Sequence, residues 1–376
     1  MTFLFIIFAL LSLNYFIFLL SIVRGIRIVK NDNSANENKD FISVIIPFRN
    51  EEENLLKNLA SIESQSVPKT QYEIIYVNDN SDDNSVNILE NAKSWSNVKI
   101  INSDVSLEER AHKKIALAKA IEEAKGEIII TTDADCIHGR DWLKTMINKF
   151  DDETAFVSGP VEFIEDETTF SKLQRLEFSS LILVGAGLIG IDEPIICNAA
   201  NLGFRKSVFN LVNGYEGNLN LSSGDDEFLM QKIAKETKYK IKFCFDDKAK
   251  SFSQPNSTIG EFFNQRKRWA SKSLYYVKKS TTLKLVMIFL FYLGIIAQLI
   301  LGLFYNQLFL LSFFFSMILK VITEYQIVQI DSKELFTPAN LKIFFLAELL
   351  HIPYIIISGF SGLFGNYEWK GRKIKR

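Results

Sequence analysis

The sequence predicts an α/β domain with a mostly parallel sheet, carried between membrane-crossing helices at its two ends. Three observations predict it. Residues Thr2 to Val23 hold no charged side chain, which is about the 20 residues needed to cross a bilayer core. From Phe41 onward, short Val- and Ile-rich runs alternate with helical segments, the pattern of βαβ units. After about Lys272 the chain turns oily again.

The first apolar run competes with a cleaved signal peptide. No Lys or Arg precedes it and no small-residue cleavage site follows it, so an anchor is the better reading. Arg24, Arg27 and Lys30 come directly after it, and by the positive-inside tendency the chain then emerges into the cytoplasm. The Asn-rich stretch 31–40 reads as a linker. The domain spans 41–272. Its expected strands are Ile42–Ile46, Glu73–Val77, Val98–Ile101 and Glu127–Thr131, and its expected helices lie near Glu51–Ser64, Asp83–Ser94 and Arg110–Lys125. Residues 273–376 form a C-terminal membrane region of two to three hydrophobic segments. Val286 to Leu319 lacks charges and would stretch about 51 Å as one helix, too long for one span. Tyr305-Asn306-Gln307 is the expected turn between two spans. Leu341 to Gly365 is a third segment, interrupted by Glu348, His351 and Pro353. Three full spans would put the basic tail, Lys370 to Arg376, outside. A re-entrant or interfacial last segment would keep it inside, as the charge rule favours. Ionisable residues inside the spans are scarce, with Glu348 and His351 the exceptions noted.

Composition excludes several functions. The formal net charge of −1 gives no support for nucleic-acid binding. Cys136, Cys197 and Cys244 show no CxxC spacing, and His112, His138 and His351 form no ligand pattern, so neither a disulfide framework nor a zinc site is expected. No GxGxxG follows the first strand, which argues against a dinucleotide-binding dehydrogenase.

Ligands of such sheets sit outside the carboxyl ends of the strands. That rule selects Pro47–Glu53, Asn78–Asp83 and Thr132–Cys136. Asp133 and Asp135 end an apolar strand. Residues two apart on an extended chain point the same way, so the pair could hold a hard cation and share it with a diphosphate. The plain alternative is a turn or helix cap. Asp79 could accept from a uracil ring, or simply precede an N-cap. Glu52 could touch the nucleoside, or be an ordinary acid in a first helical turn. Lys113, beside Lys114, could reach a phosphate or be a solvated surface lysine. Asn198 to Arg205 suits close approach of a ligand, or is a plain loop. Asp225, Asp226 and Glu227 crowd before an apolar helix, as caps or around a general base. Gln265-Arg266-Lys267-Arg268-Trp269 joins an amide, cations and a large ring. That stretch also suits an interfacial anchor before a span.

Taken in order, these residues resemble the membrane-bound family 2 glycosyltransferases with the D, D, D, QxxRW pattern. That group includes cellulose, chitin and hyaluronan synthases and ceramide glucosyltransferases. The resemblance runs from Phe41 to Trp269 and implies a GT-A fold and an inverting displacement. By it, Asp79 contacts the base of a nucleotide-sugar, UDP being favoured. Asp133 and Asp135 hold Mg2+ or Mn2+ and the diphosphate, and Asp226 is the catalytic base. Gln265, Arg268 and Trp269 close over the diphosphate and acceptor, while Pro47, Glu52 and Lys113 take nucleotide-side positions. Asn78 and Asp225 depart mildly from the pattern. The short C-terminal membrane part favours one sugar added to a lipid or lipid-linked glycan over a processive synthase, with membrane lipids as surroundings and a cytoplasmic catalytic domain. Nucleotidyltransferases share a similar core but usually carry a Gly-rich nucleotide loop that is missing here. A membrane scaffold with a nucleotide-sugar domain is the remaining alternative.

Overall fold

The computed structural model describes all residues except 33, 35, 94–96, 104, 106–110, 165, 220, 331–333, 338–339, 365–366, 370–371 and 375–376. Parts of the expected linker, Arg110 and Ser94 at expected helix ends, Gly365, and Lys370, Gly371, Lys375 and Arg376 of the tail lie outside the described residues.

The chain opens with α1 (Thr2–Lys30), which runs past the expected end at Val23. Nothing in Arg24–Lys30 breaks a helix, and Arg27 and Lys30 in its last turn complement the dipole there. The first half of the domain follows the expected alternation: β1 (Ile42–Phe48), α2 (Leu55–Glu63), β2 (Tyr72–Asn78), α3 (Ser85–Ala92), β3 (Val98–Asn102), α4 (His112–Glu123) and β4 (Ile128–Thr131). Then come β5 (Ile137–His138), α5 (Trp142–Ile147), β6 (Thr154–Ser158) and β7 (Val161–Phe163). A long helix, α6 (Thr169–Gly190), precedes β8 (Leu202–Arg205), α7 (Lys206–Leu211), α8 (Glu227–Glu236), β9 (Lys240–Phe243) and β10 (Ser251–Ser253). The chain closes with α9 (Ile259–Ala270), α10 (Lys279–Phe304), α11 (Leu308–Ile330), α12 (Leu341–Phe364), β11 (Tyr367–Trp369) and β12 (Arg372–Ile374). The break between α10 and α11 falls on the expected residues 305–307.

The main sheet has the order β3-β2-β1-β4-β8-β6-β9. β1 to β4 are parallel, and β8 runs against both of its neighbours. Strand alternation sorts the core into two layers. Ile45, Ile75 and Ile129 join the layer built on Leu117, Phe178 and Leu229, whereas Val44, Ile74 and Ile130 face Leu59, Trp142 and Met146. A small sheet, β5-β10-β7, lies beside the main one.

Five described helices are long and apolar enough to cross a membrane: α1, α6, α10, α11 and most of α12. The sequence pattern did not single out α6. It packs along α1, and glycines set the distance between them. A Cβ on Gly25 would lie 1.9 Å from the Gly187 carbonyl oxygen, and one on Gly190 would lie 2.1 Å from that of Gly25. Small residues at such a crossing let backbones meet.

Ionisable groups inside the apolar helices are more numerous than expected, because α11 continues past Leu319 through Lys320 and Glu324. Lys320 is fully buried and pairs with Glu324 at 3.0 Å and with Glu348. His351 lies 3.3 Å from Glu324, which also accepts from the Tyr15 hydroxyl at 2.6 Å. The cluster thus ties α1, α10, α11 and α12 together, Tyr292 of α10 reaching both Tyr15 and His351.

Both ends of α12 lie on the domain side. Just before it, the Thr337 amide donates to Glu162 of β7 at 3.0 Å. At its far end Gly362 meets Ala270 of α9, and β11 also contacts α9.

Candidate functional site

One cavity of ≈ 1060 Å³ opens at the carboxyl ends of β1, β2 and β4 and continues among α6, α9, α10 and α12. Pro47, Asp79, Lys113, Asp133, Asp135, Asp226, Gln265, Arg268 and Trp269 line it. Glu52 is not in its wall: its carboxylate accepts from the Asn84 amide at 3.0 Å, ahead of α3.

Asp133 and Asp135 do not owe their common orientation to strand alternation. β4 ends at Thr131, and the Cys136 amide donates to the Asp133 carbonyl at 3.1 Å, which makes a turn. Buried Asn58 holds that turn by donating to the Asp133 and Cys136 carbonyls, and is itself fixed by the Tyr76 hydroxyl at 2.7 Å. Asp135 accepts from Ser253 at 3.2 Å. Among the described residues, no three His, Cys, Asp or Glu side chains are grouped to hold a metal. Two carboxylates beside an open cavity nevertheless fit a hard cation that takes its remaining ligands from a diphosphate and water.

The two lysines that open α4 part company. Lys113 reaches Asp133 at 2.8 Å and Asp225 at 3.4 Å. Burial disfavours its charge, but Asp133 and Asp225 outweigh this and hold its ammonium well above the usual lysine range. Lys114 donates to the Asn218 and Leu221 carbonyls and so secures the approach to the acidic cluster. Burial pushes it down to about 8. Asp79 is buried at the end of β2, with His112 3.3 Å away.

The acidic cluster begins at a turn that glycine makes possible. Gly224 has φ +83, and a Cβ there would lie 2.5 Å from the Phe228 ring. Asp226 caps α8, accepting from the Glu227 amide at 2.7 Å, and its other oxygen accepts from the Ala199 amide at 3.1 Å. The loop carrying Ala199 is tied to β4, since Thr132 donates to the Ala200 carbonyl at 2.9 Å. Buried Lys272 lies 3.7 Å from Asp226 and 3.1 Å from Glu227. Burial would raise the Asp225 carboxyl, yet Lys113 and then Lys114 hold it below the carboxylate range. Glu227 goes the other way: burial pushes it up to about 7, in spite of Lys272.

α9 is fixed at its start by a capping box between Thr258 and Glu261. Gln265 accepts from Asn256 at 3.0 Å, and Trp269 stacks on Phe178 of α6 with centroids 5.9 Å apart. Between them, Arg266 is buried, lies over the Phe262 and Trp269 rings, and pairs with Glu177, which also accepts from Tyr354 at 2.8 Å.

Sequence reasoning missed Lys272, Glu177, Tyr354 and the role of Arg266. Glu177 carried a signal, being an acid inside the otherwise apolar end of Thr169–Gly190. Lys272 was masked by the basic stretch around it.

Known proteins share the family and the fold. The pattern of Glycosyl transferase family 2 matches residues 43–211, and that of Glycosyl transferase family group 2 matches 128–325. Glycosyltransferase AglE of Haloferax volcanii is 28% identical over 55% of this chain and 65% of its own length. Poly-beta-1,6-N-acetyl-D-glucosamine synthase of Staphylococcus epidermidis is 27% identical over 63% of this chain and 55% of its own. The chain therefore spans less than two thirds of either relative. The solved mannosyltransferase PcManGT of Pyrobaculum calidifontis, in complex with GDP-Man and Mn2+, shares the fold. It has a TM-score of 0.59 at 17% identity, over 96% of this chain and 99% of that one. The family pattern covering 128–325, on this GT-A-like sheet, makes the chain a member of glycosyl transferase family group 2.

Proposed function

We propose that the protein transfers one sugar, with inversion, from a nucleotide-sugar to an acceptor lipid or lipid-linked glycan at the membrane. UDP is the nucleotide favoured. The observation that carries this is one cavity whose wall holds the acids of three separate segments and also reaches between the apolar helices.

Asp79 faces the base and Pro47 the nucleoside. Asp133 and Asp135 would hold Mg2+ or Mn2+, which when bound neutralises charge on the departing diphosphate. Arg268 and Lys113 add fixed positive charge there, and preorganised charge of this kind is usually the largest catalytic term. Asp226 takes the proton of the attacking hydroxyl. Its two backbone N–H partners fix its direction. Gln265 and Trp269 close the acceptor side. No second carboxylate acts as nucleophile, which fits inversion.

Residues 1–30 form the anchor, 41–272 the cytoplasmic transferase domain and 273–376 the membrane region. Both ends of α12 adjoin the domain, which supports an interfacial α12 and a tail on the domain's own side. A processive synthase is the second reading, favoured by the similarity to a relative named as a synthase.

Asp226→Asn should abolish transfer of labelled sugar while donor binding persists. Asp135→Ala should lose metal and donor affinity together. Near-normal turnover in Asp226→Asn would remove the base from this scheme. Membranes given labelled nucleotide-sugars should place sugar on an acceptor; pyrophosphate release would indicate a nucleotidyltransferase, and neither product a scaffold.

A further inference from the structure

The cavity is larger at its membrane end than a nucleotide-sugar requires. Beyond Trp269 its wall passes to Val184 and Gly185 of α6, Leu285 and Phe289 of α10, and Ile355 of α12. These are apolar or small; the polar side chains that share the wall include Glu177, Arg266 and Tyr354, bonded to one another, and Lys284, paired with Glu193. At the far end the wall changes character: Tyr15, Tyr292, Glu324 and His351 line it. These four groups bond to one another across four helices, Tyr15 to Glu324 at 2.6 Å, Tyr15 to Tyr292 at 3.0 Å and Tyr292 to His351 at 3.3 Å. The result is an apolar gallery with the proposed base at one end and a hydrogen-bonded brace at the other.

α12 gives its length. Gly362 touches Ala270, next to Trp269, and His351 lies eleven residues earlier. At ~1.5 Å per residue that is about 16 Å. An extended chain advances roughly 1.2 Å per single bond, so about a dozen carbons fit.

We propose that this gallery takes the hydrocarbon chain of the acceptor lipid and measures it. The inference rests on the acceptor being a membrane lipid, as in the function proposed above. The occupant follows from continuity: whatever chain is attached to a hydroxyl at Asp226 must leave through the same cavity, and the apolar wall suits hydrocarbon. Burial rewards each methylene until the chain meets the brace. Passing through the brace would require opening paired polar groups inside an apolar surround, which is costly. The lipid is therefore held inside the protein for about its first dozen carbons, with any remainder outside.

The test uses the full chain in lipid nanodiscs with two photoreactive long-chain alcohols. One carries a diazirine near the hydroxyl, the other about a dozen carbons along. The first should label residues around Trp269 and Leu285, the second residues around Tyr292 and His351. Val184→Trp and Ile355→Trp, which fill the gallery, should each cut labelling at Tyr292 and His351 by about tenfold. Leu311→Trp, on the exposed face of α11, should leave it unchanged. Competition by plain n-alkanols should strengthen by up to about fourfold per methylene and level off near a dozen carbons. Labelling confined to exposed positions such as Leu311 and Phe314, or indifference to both filling variants when both melt normally, overturns the proposal. So does competition that strengthens steadily to much longer chains. Labelling needs no donor, so it can succeed where sugar transfer fails. In that case the gallery stands and the transferase reading falls.

Discussion

Arg266 offers a direct test of whether the apolar helices and α9 act as one unit. It sits on α9 between Gln265 and Arg268, yet its side chain points away from solvent, 2% exposed against 20% for Glu177. Its Nε donates to Glu177 at 3.1 Å, a second nitrogen pairs with the other carboxylate oxygen, and its guanidinium lies 4.5 Å and 4.3 Å from the Phe262 and Trp269 ring centroids. Removing one partner of a buried pair costs about 3–5 kcal/mol. Water reaching Glu177 places this pair at the lower end, and the lost ring contacts add about 0.5–2 kcal/mol. Arg266→Met should therefore destabilise the detergent-solubilised protein by about 3.5–5 kcal/mol. Glu177→Met should cost about 3 kcal/mol. The double variant strands no charge, so it should cost clearly less than the sum, with a coupling of about 2 kcal/mol. Unfolding can be followed by tryptophan fluorescence, because Trp269 stacks on Phe178 and should report loosening of α9 from α6. Additivity within about 0.5 kcal/mol would refute the idea that this pair joins the two helices.

Four further outcomes can be checked. Gly25→Val puts side-chain atoms where the Gly187 carbonyl lies. α1 should then separate from α6, seen as loss of a cysteine cross-link between the two helices, whereas Gly139→Ala, which meets nothing, should be silent. Glu227 is raised from 4.5 to about 7, chiefly by burial. A raised carboxyl stabilises the fold most below pH 4.5 and loses that contribution as pH rises towards 7, by about 3 kcal/mol at most; Glu227→Gln should flatten this slope in pH-dependent melts. Lys320→Met leaves Glu348 facing Glu324 without their shared cation and should cost about 3–5 kcal/mol; Lys320→Met with Glu348→Leu should recover much of it. A tag after Arg376 should share the protease accessibility of the domain in sealed vesicles, and protection on the opposite side would make α12 a full span.

The βαβ half was legible because period-two apolar runs and helical periodicity are local signals. β1 to β4 each begin within one residue of the expected start. The turn at residues 305–307 was legible for a similar reason, since polar residues interrupt a run too long for one span. α6 was not legible. Lys172, Arg175 and Glu177 break its apolar run, and only the structure shows Glu177 paired with Arg266. Lys320 and Glu324 escaped notice because charge-free counting stopped at Leu319, although the helix does not. At the site, residue types and order selected the cavity wall well. They could not show that Asn84 holds Glu52 outside it, or that Lys113 bridges two acids, because those contacts join residues 32 and 112 positions apart.

The placement of charge links the acidic end of the cavity to the apolar helices. Acids dominate the wall near Asp133, Asp225 and Asp226, and half-buried Lys113 and buried Lys272 lie against them. Both lysines are tied to backbone that leads elsewhere: Lys113 begins a helix of the sheet core, and Lys272 follows α9, which Arg266 and Tyr354 bind to α6 and α12. Moving α12 would therefore shift Arg266, then α9, then the cation beside Asp226. In the function proposed above, a base whose nearest cation depends on a helix lying over the proposed gallery would be most active only when that gallery is correctly packed. Acceptor binding and proton abstraction would then be linked through contacts rather than through distance, at a coupling free energy that the Arg266 and Glu177 pair can be used to measure.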